Sequence, residues 1–169
     1  MTVSLTLRTP RRDDEAELRR IHEQMRAEGF TFLLADGTWG EVLATIEREA
    51  RGIDLDPGRV RAEFLVAEAD GVPVGRVSIR YALNDFLLNE GGHIGYGVAP
   101  EFRRRGFATQ ILRRSVTRLA AAGVERILVT CADANTTSAS VIERCGGQLE
   151  DLRTAHDGTL TRRYWIDAR

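Results

Sequence analysis

The stretch Gly95-Tyr96-Gly97-Val98-Ala99-Pro100-Glu101-Phe102-Arg103-Arg104-Arg105-Gly106-Phe107-Ala108-Thr109 decides how the rest of the chain is read. His93 to Val98 is a short apolar run closed by Pro100, which predicts a buried strand. Beyond the turn, Phe107, Ile111, Leu112, Ser115, Val116 and Leu119 recur at helical spacing, with Arg113, Arg114 and Arg118 on the other face and Gly123 at the end. A strand therefore runs through a glycine and arginine turn straight into a helix. Backbone N–H groups from Arg104 to Thr109 are left pointing outward at the helix start. Such donors, backed by the helix dipole, make an anion site. Gly106 lets the backbone approach an oxygen closely, and the small Ala108 keeps the first turn clear. A pyrophosphate is the natural occupant. A solvated charged turn is the plain alternative for Arg103, Arg104 and Arg105, and the glycine spacing with the helix behind it favours the phosphate.

Upstream, Val3, Leu5 and Leu7 alternate with polar neighbours over Met1 to Thr9, which is strand periodicity and not the apolar core of a signal peptide. Pro10, Asp13 and Asp14 mark a turn and an acidic helix start, followed by Leu18, Ile21 and Met25 at helical spacing. A long apolar loop with Phe30, Phe32, Leu33 and Leu34 leads to a second helix through Trp39, Val42, Leu43 and Ile46. Residues 62–69 and 72–83 flank Asp70-Gly71 and predict a hairpin with a type I′ turn. Downstream, residues 126–131 predict a buried strand, and Asn135 opens a helix that Gly146-Gly147 stops. Two strands follow, over residues 148–153 and 160–166. No repeat or linker divides the chain, so residues 1–169 are expected to form one domain.

Composition narrows the chemistry. Of 169 residues, 43% are hydrophobic and 29% charged, near globular averages, so a disordered or fibrous protein is excluded. All 24 basic residues are arginine, which removes lysine Schiff-base chemistry and any P-loop ending in Gly-Lys. The net charge of −1 lacks the positive field of a nucleic-acid binder. Cys131 and Cys145 are too few for a disulfide framework or a paired-cysteine zinc site, and a reducing cytoplasm fits best. His22 and His156 have no partner at metal-ligand spacing, so no metal is expected. No stretch is long and apolar enough to span a bilayer.

Arg103-x-x-Gly106-x-Ala108 after a strand resembles the signature Arg/Gln-x-x-Gly-x-Gly/Ala of the GNAT family of acetyl-CoA-dependent N-acetyltransferases. The resemblance continues in Asn135-x-x-Ser138-x-x-Val141-Ile142-Glu143-Arg144-Cys145-Gly146-Gly147, which looks like the family's second motif. Two motifs in the right order, on the right elements, span residues 90–147. The resemblance implies an α/β (α+β-like) fold with a mixed, mostly antiparallel sheet of about seven strands flanked by about four helices. It implies acetyl-CoA as co-substrate, with Arg103, Arg104, Arg105, Gly106, Phe107, Ala108 and Thr109 at the pyrophosphate. Tyr96, Val98, Asn135 and Ser138 would face the pantetheine, and the Val98 N–H would polarise the thioester carbonyl. The competing Rossmann reading fails because Gly95-x-Gly97 is followed by Val, Ala and Pro where that pattern wants its turn.

The implied reaction is direct attack of a primary amine on the thioester, which needs a base because such amines titrate near ~10.4. Family members place a base early on the strand, at positions corresponding to Gly92 or Ile94. Glu90 has the right parity and His93 stands next to that position, so both are candidates. Family members also carry a tyrosine at the position of Ile142 to protonate the departing thiolate. Here Ser140, Tyr96 or a water would serve, with Ile142 packed beside the pantetheine. Plainer readings stand beside these: Asn135 as an ordinary helix cap, Cys131 and Cys145 as packing residues, and Phe30 to Leu34 as core instead of an acceptor-pocket wall. A non-catalytic acyl-CoA-binding module is the rival from another class. The expected acceptor is a small-molecule or peptide amine, with no nucleic-acid or membrane partner, and a homodimer is compatible with the sequence.

Overall fold

The computed structural model describes residues 3–168, so Met1 and Thr2 of the expected first strand lie outside the described residues. The elements are β1 (Leu5–Arg8), α1 (Glu15–Arg26), α2 (Trp39–Arg51), β2 (Ala62–Ala69), β3 (Val72–Arg80), β4 (Ile94–Val98), α3 (Phe107–Ala121), β5 (Arg126–Ala132), α4 (Thr136–Arg144), β6 (Gln148–Thr154) and β7 (Leu160–Asp167). One seven-stranded sheet has the order β1-β2-β3-β4-β5-β7-β6. Every neighbouring pair is antiparallel except β4 with β5. This is the mixed, mostly antiparallel architecture the motifs imply.

Local chemistry sets most boundaries. Thr38 and Glu41 form a reciprocal cap at the start of α2, where the Thr38 hydroxyl accepts from the Glu41 N–H and the Glu41 carboxylate accepts from the Thr38 N–H. Asp70 and Gly71 both adopt positive φ, +50° and +77°, as a type I′ turn requires. The acids expected at the first helix start form a separate 3-10 turn, Arg12–Asp14. There the Asp14 carboxylate takes two bonds from Arg8, at 2.7 and 2.8 Å, and one from the Arg11 N–H at 2.6 Å.

Two apolar clusters sandwich the sheet. Leu5, Val77, Ile94, Ile111, Ile127 and Ile142 belong to the one beneath α3 and α4. Leu18, Ile21, Phe32, Val42, Phe64 and Val66 belong to the one beneath α1 and α2. Side chains alternate along a strand, so Ile94, Tyr96 and Val98 face α3 and α4, while His93, Gly95 and Gly97 face the other layer.

One segment departs from the sequence reading. β3 ends at Arg80 instead of running to Leu83, and Leu87–Gly91 forms a single π-helical turn. Asn84 stabilises it, accepting from the Leu87 N–H at 2.9 Å and donating to the Gly58 carbonyl at 2.8 Å. A turn held by one side chain carries no periodicity, so nothing in the apolar pattern announces it.

Candidate active site

β4 and β5 share a single register pair, Ile94 with Val129, and separate beyond it. On its other side β4 pairs fully with β3 from Gly75–Val98 to Ile79–Ile94. The Ala99 N–H donates to the Val74 carbonyl and the Arg80 N–H to the His93 carbonyl, so the odd-numbered residues of β4 bond towards β3. Tyr96 and Val98 therefore turn their N–H and C=O groups into the gap facing β5. The gap opens as a cleft of about 620 Å³ lined from both layers of the sheet. Tyr96, Val98, Ala108, Asn135, Ser138 and Val141 line it from one side, and Met25, Phe30 and Gly97 from the other.

At the mouth of the cleft Arg104 and Gly106 both hold left-handed backbone angles, φ +64° and +80°. Alternation of this kind turns successive N–H groups to one side, as a concave anion cradle does. Among the described residues, none accepts from the backbone N–H groups of Arg104 to Thr109, and the first bonded amide is that of Gln110, onto the Gly106 carbonyl at 3.2 Å. Phe107 is buried, so only its backbone reaches this cradle. The expected triple of arginines is divided. Arg103 grips Glu28 with both terminal nitrogens, at 2.6 and 3.2 Å, and donates through Nε to the Val98 carbonyl at 3.2 Å. It ties the end of α1 to β4 across the cleft and holds the Glu28 carboxyl below its usual range. Arg104 and Arg105 remain exposed beside the cradle.

Deeper in the cleft, the hydroxyls of Tyr96 and Ser138 stand 3.0 Å apart. Burial pushes the Tyr96 phenol up to about 12, so it keeps its proton at neutral pH. Asn135 caps α4 by accepting from the Ser138 N–H at 3.1 Å and also lines the cleft. Ser138 and Val141, three apart, present the lining face of α4. Ile142 is turned away, fully buried in the core against Gly147, and does not stand beside the cleft.

The opposite end of β4 differs from the sequence reading. Glu90 lies on the π-helical turn instead of an extended strand, and its carboxylate is bonded to His156. It accepts from the His156 N–H at 2.8 Å and lies 2.9 Å from the ring Nδ1. The expectation of His93 as a base is corrected by its surroundings. It is 5% exposed, its Nδ1 accepts from the Leu128 N–H at 2.9 Å, and its own N–H donates to the Leu128 carbonyl. Burial, with Arg80 adding to it, pushes the ring down to about 4. A neutral ring whose lone pair already holds a strand together serves the fold.

The apolar loop after α1 divides as well. Phe32 and Leu33 are core, while Phe30 walls the cleft over Gly97, where any Cβ would stand 2.7 Å from the ring. Two functional candidates escaped the sequence reading, Arg76 and Arg80, which point to the same face as Gly95 and Gly97. The one available signal was a pair of arginines four apart inside an otherwise apolar strand. Among the described residues no group of three or more His, Cys, Asp and Glu could hold a metal ion, and no helix is long and apolar enough to cross a membrane. A groove of about 670 Å³ between α2 and β2 contains no N–H cradle and no opening through the sheet, and it is set aside as a site.

The comparisons agree with this geometry. A family model described as an acetyltransferase (GNAT) domain matches residues 4–148. Mycobacterium smegmatis RimJ in complex with CoA-disulfide superposes with a TM-score of 0.75 at 25% identity, over 97% of this chain and 82% of that one. RimL, a ribosomal alpha-N-protein acetyltransferase, gives 0.72 at 20% identity over 99% and 91%. A chimera of the spermidine N-acetyltransferase SpeG from Vibrio cholerae with hSSAT gives 0.65 at 20% identity over 97% and 95%. With a split strand pair, an amide cradle at a helix start and a family match over most of its length, the chain belongs to the GNAT family of acetyl-CoA-dependent N-acetyltransferases.

Proposed function

We propose that this protein acetylates a primary amine of a small molecule or peptide by direct attack of the amine on acetyl-CoA, the two reactants entering the β4–β5 gap from opposite faces of the sheet. The observation that carries this is the cleft itself, lined from both layers and edged by the backbone of Tyr96 and the N–H of Val98. The residues present fit the co-substrate. The N–H groups from Arg104 to Thr109 suit a pyrophosphate, with Arg104 and Arg105 beside them, and the open edge of β4 suits the amides of a pantetheine arm. When bound, acetyl-CoA supplies a thioester whose carbonyl carbon accepts the amine.

The chain's own groups then have distinct roles. The Val98 N–H, facing the gap, would donate to the carbonyl oxygen of a bound thioester as negative charge grows on it. The Tyr96 and Ser138 hydroxyls, linked and protonated, donate to the departing sulfur, replacing the tyrosine that Ile142 displaces. Asn135 holds Ser138 in place, and Arg103 holds α1 against β4. Glu90 remains the carboxylate that accepts the amine's proton, on the acceptor side, once its bonds to His156 open. RimL acts on a protein amine and SpeG on a polyamine, and both classes of acceptor are compatible with a cleft open at the second face. A reducing, cytoplasmic location, with Cys131 and Cys145 as free packing thiols, completes the reading.

The test is a screen of amino acids, N-terminal peptides, polyamines and aminoglycosides that follows release of the CoA thiol, beside melting curves with acetyl-CoA. A rise in Tm together with thiol release for some amine is the expected outcome. A rise in Tm with no release for any amine would make the protein an acyl-CoA-binding module.

A further inference from the structure

The buried Arg163 and the half-buried Arg8 are both neutralised by carboxylates. Arg163, with 1% of its side chain exposed, meets Glu150 at 2.5 Å and Asp151 at 2.7 Å, and Arg8 meets Asp14 and Glu68. Arg76 and Arg80 are the exceptions on the acceptor face of β3. Arg76 is 4% exposed and spends its three nitrogens on backbone carbonyls, Phe32 at 3.0 Å, Gly95 at 2.9 Å and Thr31 at 2.7 Å. Its guanidinium also stacks on Phe30, 4.7 Å from the ring centre. Arg80 lies over Gly95, its terminal nitrogens 3.3 Å from where a Cβ would stand. Its Nη1 donates to the carbonyls of Gly91 and Gly92 at 3.0 and 3.4 Å, while Nε and Nη2 have no partner among the described residues. Those nitrogens are not sealed off, because the only enclosed side-chain polar atom without a partner among the described residues is Arg48 Nε. No described carboxylate forms an ion pair with either arginine, and Glu90, one residue before the Gly91 carbonyl that Arg80 binds, is engaged by His156. Burial lowers both guanidinium pKa values, to about 9 for Arg76 and about 10 for Arg80.

We propose that Arg80, backed by the charge of Arg76, reads an anionic group on the acceptor, so that the preferred substrate is an amine bearing a carboxylate several bonds away. This rests on the acceptor entering from the face proposed above. Gly95 and Val98 are three residues apart, roughly 10 Å along a strand. That span matches the distance from a peptide N-terminus to an acidic side chain at its second residue better than the separation within a free α-amino acid. Arg80 itself stands over Gly95 and the Phe30 ring over Gly97, so the acceptor chain would run along the Phe30 ring to reach Arg80. A polyamine would bring further positive charge against two uncompensated cations and is disfavoured.

The experiment compares Ala-Glu-Ala-amide, Ala-Gln-Ala-amide, Ala-Lys-Ala-amide and spermidine by kcat/KM. In parallel, calorimetry measures binding of the same peptides to the CoA-loaded protein. A charge-assisted hydrogen bond predicts at least about a tenfold preference for the Glu peptide over the Gln peptide, with the Lys peptide and spermidine below both. Arg80→Gln should collapse the Glu-to-Gln ratio towards one, and Arg80→Lys should restore part of it. Equal use of the Glu and Gln peptides by the unaltered protein, or an unchanged ratio in Arg80→Gln, overturns the assignment. If no amine releases thiol, the transfer reading fails by itself. Calorimetry then still decides the inference, because absent or equal binding of the two peptides refutes it and tighter binding of the Glu peptide supports it.

Discussion

On the α3 and α4 face of β4, the groups around the cleft come from two short stretches, residues 96–109 and 132–141, whereas on the opposite face Thr31, Phe32, Arg76, Arg80, Glu90 and His156 converge from four separate parts of the chain. The first face is assembled from backbone geometry: a strand edge, a left-handed turn and two helix starts. The second is assembled from side chains that reach carbonyls and carboxylates across long sequence separations. Local geometry can be kept while the acceptor changes, because the two faces share little besides β4 itself. That division suits a fold whose co-substrate is constant and whose acceptor is not.

Substitutions on the two faces should therefore fail differently. The largest effect belongs to the locally built face. Ile142→Ala removes a fully buried side chain from beneath α4 and should cost about 2–5 kcal/mol in urea unfolding, while the affinity of the remaining folded protein for acetyl-CoA changes little. A loss of affinity without loss of stability would return Ile142 to the cleft. Gly106→Pro comes next. Proline cannot adopt the φ of +80° at this position and deletes one donor of the cradle. The rise in Tm with acetyl-CoA, worth about 2.7 kcal/mol at 100 times its Kd, should vanish. A normal rise in that variant would place the pyrophosphate elsewhere.

The opposite face should show itself through pH. His93 titrates near about 4 when folded and near ~6.5 when unfolded, so its neutral form contributes stability above pH 6.5 that is lost as pH falls towards 4. The full loss is on the order of 3 kcal/mol. His93→Gln keeps an acceptor for the Leu128 N–H but cannot protonate. Denaturant unfolding between pH 6.5 and 4.5 should therefore show a shallower decline than in the unaltered protein, and identical slopes would contradict the buried, neutral ring.

The smallest effect is at the surface. The hydrogen bond from Glu90 raises the His156 pKa, and the same bond lowers that of Glu90. The histidine's share is full below about 6.5 and fades as pH rises through its raised value; the glutamate's is present above about 4.3 and fades as pH falls through its lowered value. Glu90→Gln should bring the His156 titration, followed by NMR, back towards its ordinary value. No movement would mean that the two side chains are apart in solution. If Glu90 also takes the amine's proton, the same variant should lose more turnover at pH 7 than at pH 9, and an equal loss at both would remove it from that role.

The sequence by itself determined the element order, the hairpin at Asp70-Gly71, the N–H cradle at Gly106 and the cap at Asn135, because each depends on residues a few positions apart and on backbone rules that hold in any fold. It also marked Tyr96 and Ser138 separately, though only the tertiary structure brought their hydroxyls within 3.0 Å. Arg103 shows the boundary: its place in the motif is local, but its grip on Glu28, 75 residues away, is not. His93, Glu90, Arg76 and Arg80 lie wholly on the far side of that boundary. What a histidine or an arginine does depends on the dielectric around it and on the acceptors brought to it, and for these four residues both come from segments that only the folded sheet places side by side.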